Sequence, residues 1–256
     1  MRAARGLGLS VRRRMLTPGC VALACTALAL ALPAGARAAL RTPRSNIAWG
    51  QLPDACADAP KGEECESAWL YYLDRARSRL GLPAYAVPRA FLRFPATRQI
   101  FALSNLDRTS YRLPVATGMV AQLDSAAARA ARRSEDPLLP AGPFQAPWGS
   151  NFAAAPNALE GYYLWMYDDG FGGGNLDCRR PAAAGCWGHR RNILLSLRGR
   201  GYKIAIGIAA GPSVDGGAYT TLIALARNDV HLAFSWSAAR ALGVGRSTYR
   251  PAAPAL

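Results

Sequence analysis

The residues able to do chemistry in this chain gather between positions 162 and 194. His189 lies in Gly188-His189-Arg190-Arg191-Asn192-Ile193-Leu194, and the only other histidine is His231. A histidine beside an acid serves as a base, a ligand contact or a structural pair, because its charge changes near neutral pH. Upstream, Asp168-Asp169-Gly170 opens a loop that also holds Asn175 and Asp177. Calcium takes oxygen ligands of this kind, but the spacing matches no helix-loop-helix calcium loop. A turn built on Asp and Gly is the simpler reading. Gly172, Gly173 and Gly174 follow no strand and so make no phosphate loop. Tyr162, Tyr163, Trp165, Tyr167, Phe171 and Trp187 crowd the same stretch, either as a core face or as the wall of a lipid, glycan or peptide site.

Cysteine usage and the N-terminus point to export. Arg2, Arg5, Arg12, Arg13 and Arg14 precede an apolar stretch from Leu16 to Leu32, and Ala36-Arg37-Ala38 follows with small residues where a signal peptidase reads. Residues 1–38 therefore read as a signal peptide cleaved after Ala38, with Cys20 and Cys25 inside it. A lipoprotein site at Cys25 fits poorly because Leu23 stands where a small residue belongs. Cys56, Cys65, Cys178 and Cys186 remain, which allow three pairings. Their close spacing favours Cys56–Cys65 and Cys178–Cys186, and neither pair has zinc-knuckle spacing. The net charge of +15, nearly all arginine, falls to +9 once six arginines leave with the signal. That suits a negatively charged envelope or matrix, or a plain solvated surface, and we assign no nucleic-acid partner. No run of twenty apolar residues follows the first forty positions, so no membrane span is expected after processing.

The elements that must position these groups follow from periodicity. Trp69, Leu73, Ala76 and Leu80 predict a helix over Glu66 to Leu80. A second helix runs from Pro95 to about Tyr111, a third over Gly118 to Arg133, and a fourth over Asn157 to Asp168. Trp148 to Ala153 reads as a short strand and Trp187 to Leu197 as a short helix. Tyr202, Ile204, Ile206 and Ile208 alternate as a strand, Asp215-Gly216-Gly217 signals a hairpin, and Thr220 to Ala226 returns. Leu232 to Trp236 adds a further strand, and the last twenty residues read as a loose tail. Helices first and a hairpin last make this an α+β fold.

Taken together, several segments resemble the CAP superfamily, the secreted domains named for cysteine-rich secretory proteins, insect venom antigens and plant pathogenesis-related proteins. Bacterial members carry a segment closely similar to Gly188 to Leu194, and Trp165 to Gly170 lies upstream of it as in the family. Asn105 to Arg108 followed by Leu113-Pro114 looks like the family's first motif, and Gly149-Ser150-Asn151 like its Gly-Glu-Asn element. The resemblance implies a three-layer α-β-α sandwich over residues 95–236. An extra N-terminal segment (39–94, with a helix and the Cys56–Cys65 loop) precedes it and a tail (237–256) follows. It also implies a cleft of two histidines and two acids able to hold a divalent metal. Here His189 and Asp168 match two of those positions, Ser150 replaces an acid, and no histidine stands between the third helix and Trp148. One histidine and one aspartate make a poor zinc site, so we assign no metal or other cofactor.

The reading is therefore a secreted, periplasmic or envelope-associated binding domain whose ligand, a lipid, glycan or envelope polymer, meets His189, Asp168 and Ser150. The alternative is an extracellular hydrolase in which those three act as base, orienter and nucleophile, although no Gly-x-Ser-x-Gly elbow surrounds Ser150. On either reading His189 and Asp168 are expected within hydrogen-bond reach, with Ser150 at the cleft edge.

Overall fold

A five-stranded mixed sheet organises the fold. Its strands are β1 (Gly118–Met119), β2 (Phe144–Ala154), β3 (Tyr202–Gly211), β4 (Ala218–Arg227) and β5 (Phe234–Ser235), in the order β2-β4-β3-β1-β5. β1 runs parallel to β3, and the other pairings are antiparallel. The computed structural model describes residues 42–212 and 217–255. The expected signal peptide, Cys20, Cys25 and the Asp215-Gly216 part of the hairpin signal lie outside the described residues. Among the described residues seven α-helices accompany the sheet, an α+β arrangement: α1 (Ala55–Asp58), α2 (Glu63–Arg79), α3 (Ala96–Ser110), α4 (Ala121–Arg133), α5 (Ala158–Tyr167), α6 (Gly188–Ile193) and α7 (Trp236–Ala241).

Strand alternation decides what each face of the sheet meets. Ile204, Ile206 and Ile208 of β3, with Tyr219, Ile223 and Leu225 of β4, join the main core with α2, α3 and α5. The opposite face presents Ala205, Ala209, Ala218, Leu222 and Ala226 to Leu123, Ala126, Ala127 and Ala131 of α4. Small residues on both sides bring α4 very close. A Cβ at Gly207 would lie 2.3 Å from the Leu123 carbonyl carbon, so only glycine fits. Where β1 ends, Asp124 replaces a strand neighbour by accepting the Ile208 N–H at 2.9 Å. Local signals set the helix ends. Glu63, Glu64 and Glu66 open α2 and Arg77 and Arg79 close it, each sign matching the helix dipole. Asn157 caps α5 by accepting the Glu160 N–H at 2.8 Å.

Three expectations about the elements change. Gly118 and Met119 are strand, not the start of the third helix, because they pair with Ala205 and Ile206 on one side and Ser235 and Phe234 on the other. The short strand at Trp148 extends to eleven residues, carrying Pro147 at the sheet edge where its missing N–H is tolerated. The tail is not loose: α7 forms in it, Val244 is fully buried, and the Gly245 N–H reaches the Ala86 carbonyl at 2.7 Å. The N-terminal segment likewise shares the main core through Ile47, Trp69, Tyr85 and Phe91. Among the described residues the disulfides are Cys56–Cys65 and Cys178–Cys186. They fit an oxidising compartment. Among the described residues no helix is long and apolar enough to cross a membrane.

A buried ion pair crosses the helix layer. Arg77 of α2 bonds Asp107 of α3, and both side chains are almost completely buried. The Tyr85 and Tyr162 hydroxyls donate to the other Asp107 oxygen at 2.6 and 2.7 Å. Arg77 also donates to Ser110 Oγ and to the Pro83 carbonyl, each at 2.6 Å. Burial, then the Asp107 charge, pushes both tyrosines well above their ordinary values, so they stay neutral donors. Asp107→Ala would leave a buried guanidinium unpaired. We expect a loss of about 3–5 kcal/mol in urea unfolding, and a much smaller loss for the double variant Arg77→Met with Asp107→Leu. Equal losses for the two proteins would contradict this assignment.

Candidate functional site

The site is built where the end of α5, the start of α6 and the middle of β2 converge. α6 sits directly on β2: a Cβ at Gly149 would come within 2.8 Å of the Asn192 Cβ. The Asn192 side chain donates to the Ser150 carbonyl at 2.6 Å and to Asn151 Oδ1 at 3.1 Å. The far end of α6 is gripped by Arg108, which donates to the Ile193 and Leu195 carbonyls at 2.8 and 3.0 Å and to that of Pro114 at 2.8 Å. Asn105 holds the same Leu113-Pro114 turn by exchanging two bonds with the Ala116 backbone, at 3.0 and 2.7 Å. Burial lowers Arg108 to about 10, which still leaves it protonated at neutral pH.

Asp169 joins the two helices. Its side chain is fully buried, and Oδ1 accepts from His189 Nδ1 at 2.7 Å and from Asn175 Nδ2 at 2.7 Å. Oδ2 accepts the Arg190 N–H at 3.1 Å, and the Asp169 carbonyl accepts the Trp187 N–H at 2.8 Å. The loop between them is tied at several points. Asn46 exchanges bonds with Gly170 and Phe171, Asn175 reaches the Gly185 carbonyl at 3.0 Å, and Cys178–Cys186 closes the base.

His189 lines a cleft of about 380 Å³. Phe152 to Ala154 of β2 and Trp165 of α5 form its apolar wall, and Glu135, Asp136, Asp169 and Asp177 bring acids to it. Trp165 is anchored by donating to the Phe152 carbonyl at 2.8 Å. With Nδ1 committed to Asp169, Nε2 is the ring nitrogen left for the cleft. Burial pulls the imidazolium down, but the Asp169 hydrogen bond and the charges of Asp169, Asp136 and Asp177 outweigh it, so His189 titrates above 6.5. Asp136 is raised by burial, with His189 and the Phe152 N–H opposing and Asp177 and Asp169 adding to the rise.

The expected trio does not assemble around this histidine. The partner of His189 is Asp169, not Asp168. α5 ends at Tyr167, and Asp168 leaves helical geometry at φ −126° and ψ 28°. Its carboxylate turns to the Gly174 N–H at 3.3 Å instead of into the cleft. Burial raises Asp168, with Gly174 opposing and the Asp169 charge adding to the rise. Ser150 is buried within β2 and is not among the cleft-lining residues, and its backbone carbonyl serves α6. Asp136, which no pattern in the sequence singles out, also lines the cleft. Among the described residues no group of three or more His, Cys, Asp or Glu side chains is arranged to hold a metal ion. The residues present therefore do not fit the divalent metal that the family resemblance implies. Compared with models of protein families, with curated proteins and with solved structures, the chain matches none.

The carboxylate's hold on the ring gives a direct test. Asp169→Asn should lower the His189 pKa, read from the ring-proton NMR titration with His231 replaced for assignment. An unchanged titration would show that Asp169 does not set the charge on this ring.

Proposed function

We propose that the chain is an exported, non-catalytic binding domain of the CAP type. Its cleft takes a ligand that presents a positively charged or hydrogen-bond-donating group. One observation carries the reading: a buried aspartate fixes His189 at the wall of a 380 Å³ cleft that Asp136 and Asp177 also line. Acids outnumber the single imidazole there, so the cleft favours an amine or hydroxyl donor over a fatty-acid carboxylate. An envelope polymer or glycan bearing amino groups has that chemistry.

The family reading draws support from three features. The sheet carries α4 on one face and α2, α3 and α5 on the other, as an α-β-α sandwich requires. Asn105 and Arg108 act together on the Leu113-Pro114 turn. Gly149, Ser150 and Asn151 form the platform under α6, where a close approach needs glycine. Export draws support from the two disulfides and from the signal-like character of residues 1–38. The hydrolase alternative has no such support, since Ser150 lies off the cleft and Asp168 is bonded to Gly174.

The test uses a glucosamine trimer as the cationic glycan and palmitate as the lipid. The trimer should shift the His189 ring resonances saturably, and His189→Ala should weaken binding by about tenfold, or ~1.4 kcal/mol, measured at a temperature where the variant is still folded. Shifts with palmitate and none with the trimer, or undiminished trimer binding by His189→Ala, would overturn the proposal.

A further inference from the structure

The acids around His189 are not equivalent. Asp169 has both oxygens occupied, by His189, Asn175 and the Arg190 N–H. Asp168 turns to Gly174, and Glu135 is paired with Arg133 at 2.6 Å. Asp136 and Asp177 remain, and neither makes an ion pair among the described residues. Of these two, Asp136 acts more strongly on His189, and His189 is the strongest charge acting on Asp136. No ion pair joins Asp136 to His189, whose Nδ1 is held by Asp169, so the space between them belongs to the cleft that both line. The state of the ring follows from its partner. A carboxylate only accepts, so Asp169 keeps the ring proton on Nδ1. In the neutral ring Nε2 is then an acceptor, and the side chain is 19% exposed. Protonation turns that acceptor into a donor and adds a positive charge.

We propose, resting on the cleft reading, that Asp136 and Nε2 of neutral His189 together grip one alkylammonium group, the end of a lysine-like chain, with Asp136 as the residue that selects it. An ammonium carries three donors, enough to meet a carboxylate and an imidazole at once. Among the described residues no three His, Cys, Asp or Glu side chains are placed to hold a metal ion, so the two acceptors suit an organic cation. Phe152, Ala153 and Ala154 of β2, with Leu164 and Leu176, give the methylene stem an apolar lining. The ring titrates above 6.5, so the ligand's amine must stay protonated where the ring has lost its proton. A lysine-type amine, ordinarily about 10.4, does so. An amine on a sugar ring, flanked by electron-withdrawing oxygens, gives up its proton nearer neutrality. The titratable groups that share the cleft with the ring are Asp169 and Asp177 from the α5–α6 loop and Glu135 and Asp136 from the segment after α4. The lining parts of β2 and α5 bring none. The site is thereby directed to an aminoalkyl group of an envelope polymer.

Nα-acetyl-lysine methylamide is the probe, titrated by calorimetry and followed through the His189 ring resonances. Saturable binding is expected, about tenfold tighter at about pH 8 than at about pH 6. His189→Gln, which has no titrating ring, should remove that gain. At the higher pH Asp136→Asn should weaken binding by about tenfold, and Asp177→Asn by less than about threefold. The ε-trimethylated probe keeps the charge but loses every N–H of the ammonium, and it should bind at least about fivefold less. That comparison needs no variant, so it holds if one fails to fold. Undiminished binding by Asp136→Asn, equal binding of the trimethylated probe, no gain with pH, or a gain that persists in His189→Gln overturns the clamp. So does the absence of saturable binding up to about 10 mM. In that case binding of the glucosamine trimer leaves the cleft reading standing, and its failure to bind removes both.

Discussion

The buried carboxylate of Asp169 is the constraint on which the candidate site depends. It lies just past the end of α5, and its two oxygens reach His189, the Arg190 N–H and Asn175. One group thus positions the start of α6, tethers the disulfide-closed loop and orients the imidazole. A buried carboxylate is costly unless its lone pairs are used. Here they are used by the groups that shape the cleft. Because the acids at the cleft raise the His189 pKa, its protonated form stabilises the fold fully below the ordinary histidine value of 6.5. That contribution fades as pH rises through the raised pKa.

The rest of the chain makes this geometry rigid. Asp107 gathers Arg77, Tyr85 and Tyr162 on the same side of the sheet as α5. Arg190, next to His189, is itself buried, donating to the Met166 carbonyl at 2.7 Å and to Tyr111. Arg108 fixes the other end of α6. Two buried arginines, Arg108 and Arg190, therefore lock α6 to the helices that carry the core. The N-terminal segment closes the arrangement: Asn46 holds Gly170, while Ile47 bonds Tyr167 and Tyr163.

Much of the fold was legible because its periodicities are local. Leu73 and Ala76 marked α2, the alternation at Ile204 to Ile208 marked β3, and the spacing of the four cysteines pointed to the pairs that form. Gly118-Met119 was not legible, since its strand exists only through partners more than eighty residues away. The tail was hidden by its Ala, Gly and Pro content, and its order comes from long-range contacts to Ala86 and Tyr85. Within the site, His189 lines the cleft and its hydrogen-bond partner is Asp169, one residue beyond the expected Asp168. The sequence reading runs the fourth helix on to Asp168, whereas the helix stops at Tyr167. Asp136 was invisible for a different reason: only the chain's return along β2 brings it to the same cleft as His189.

The most direct test of this account is a double-mutant cycle between Asp169 and His189, using Asp169→Asn and His189→Gln, with unfolding free energies measured at pH 5.5 and at pH 9. The charged hydrogen bond predicts a coupling of about 1.5–3 kcal/mol at the lower pH that shrinks at the higher, where the imidazole has lost its proton. A coupling near zero at pH 5.5, or one that grows as the pH rises, would contradict it.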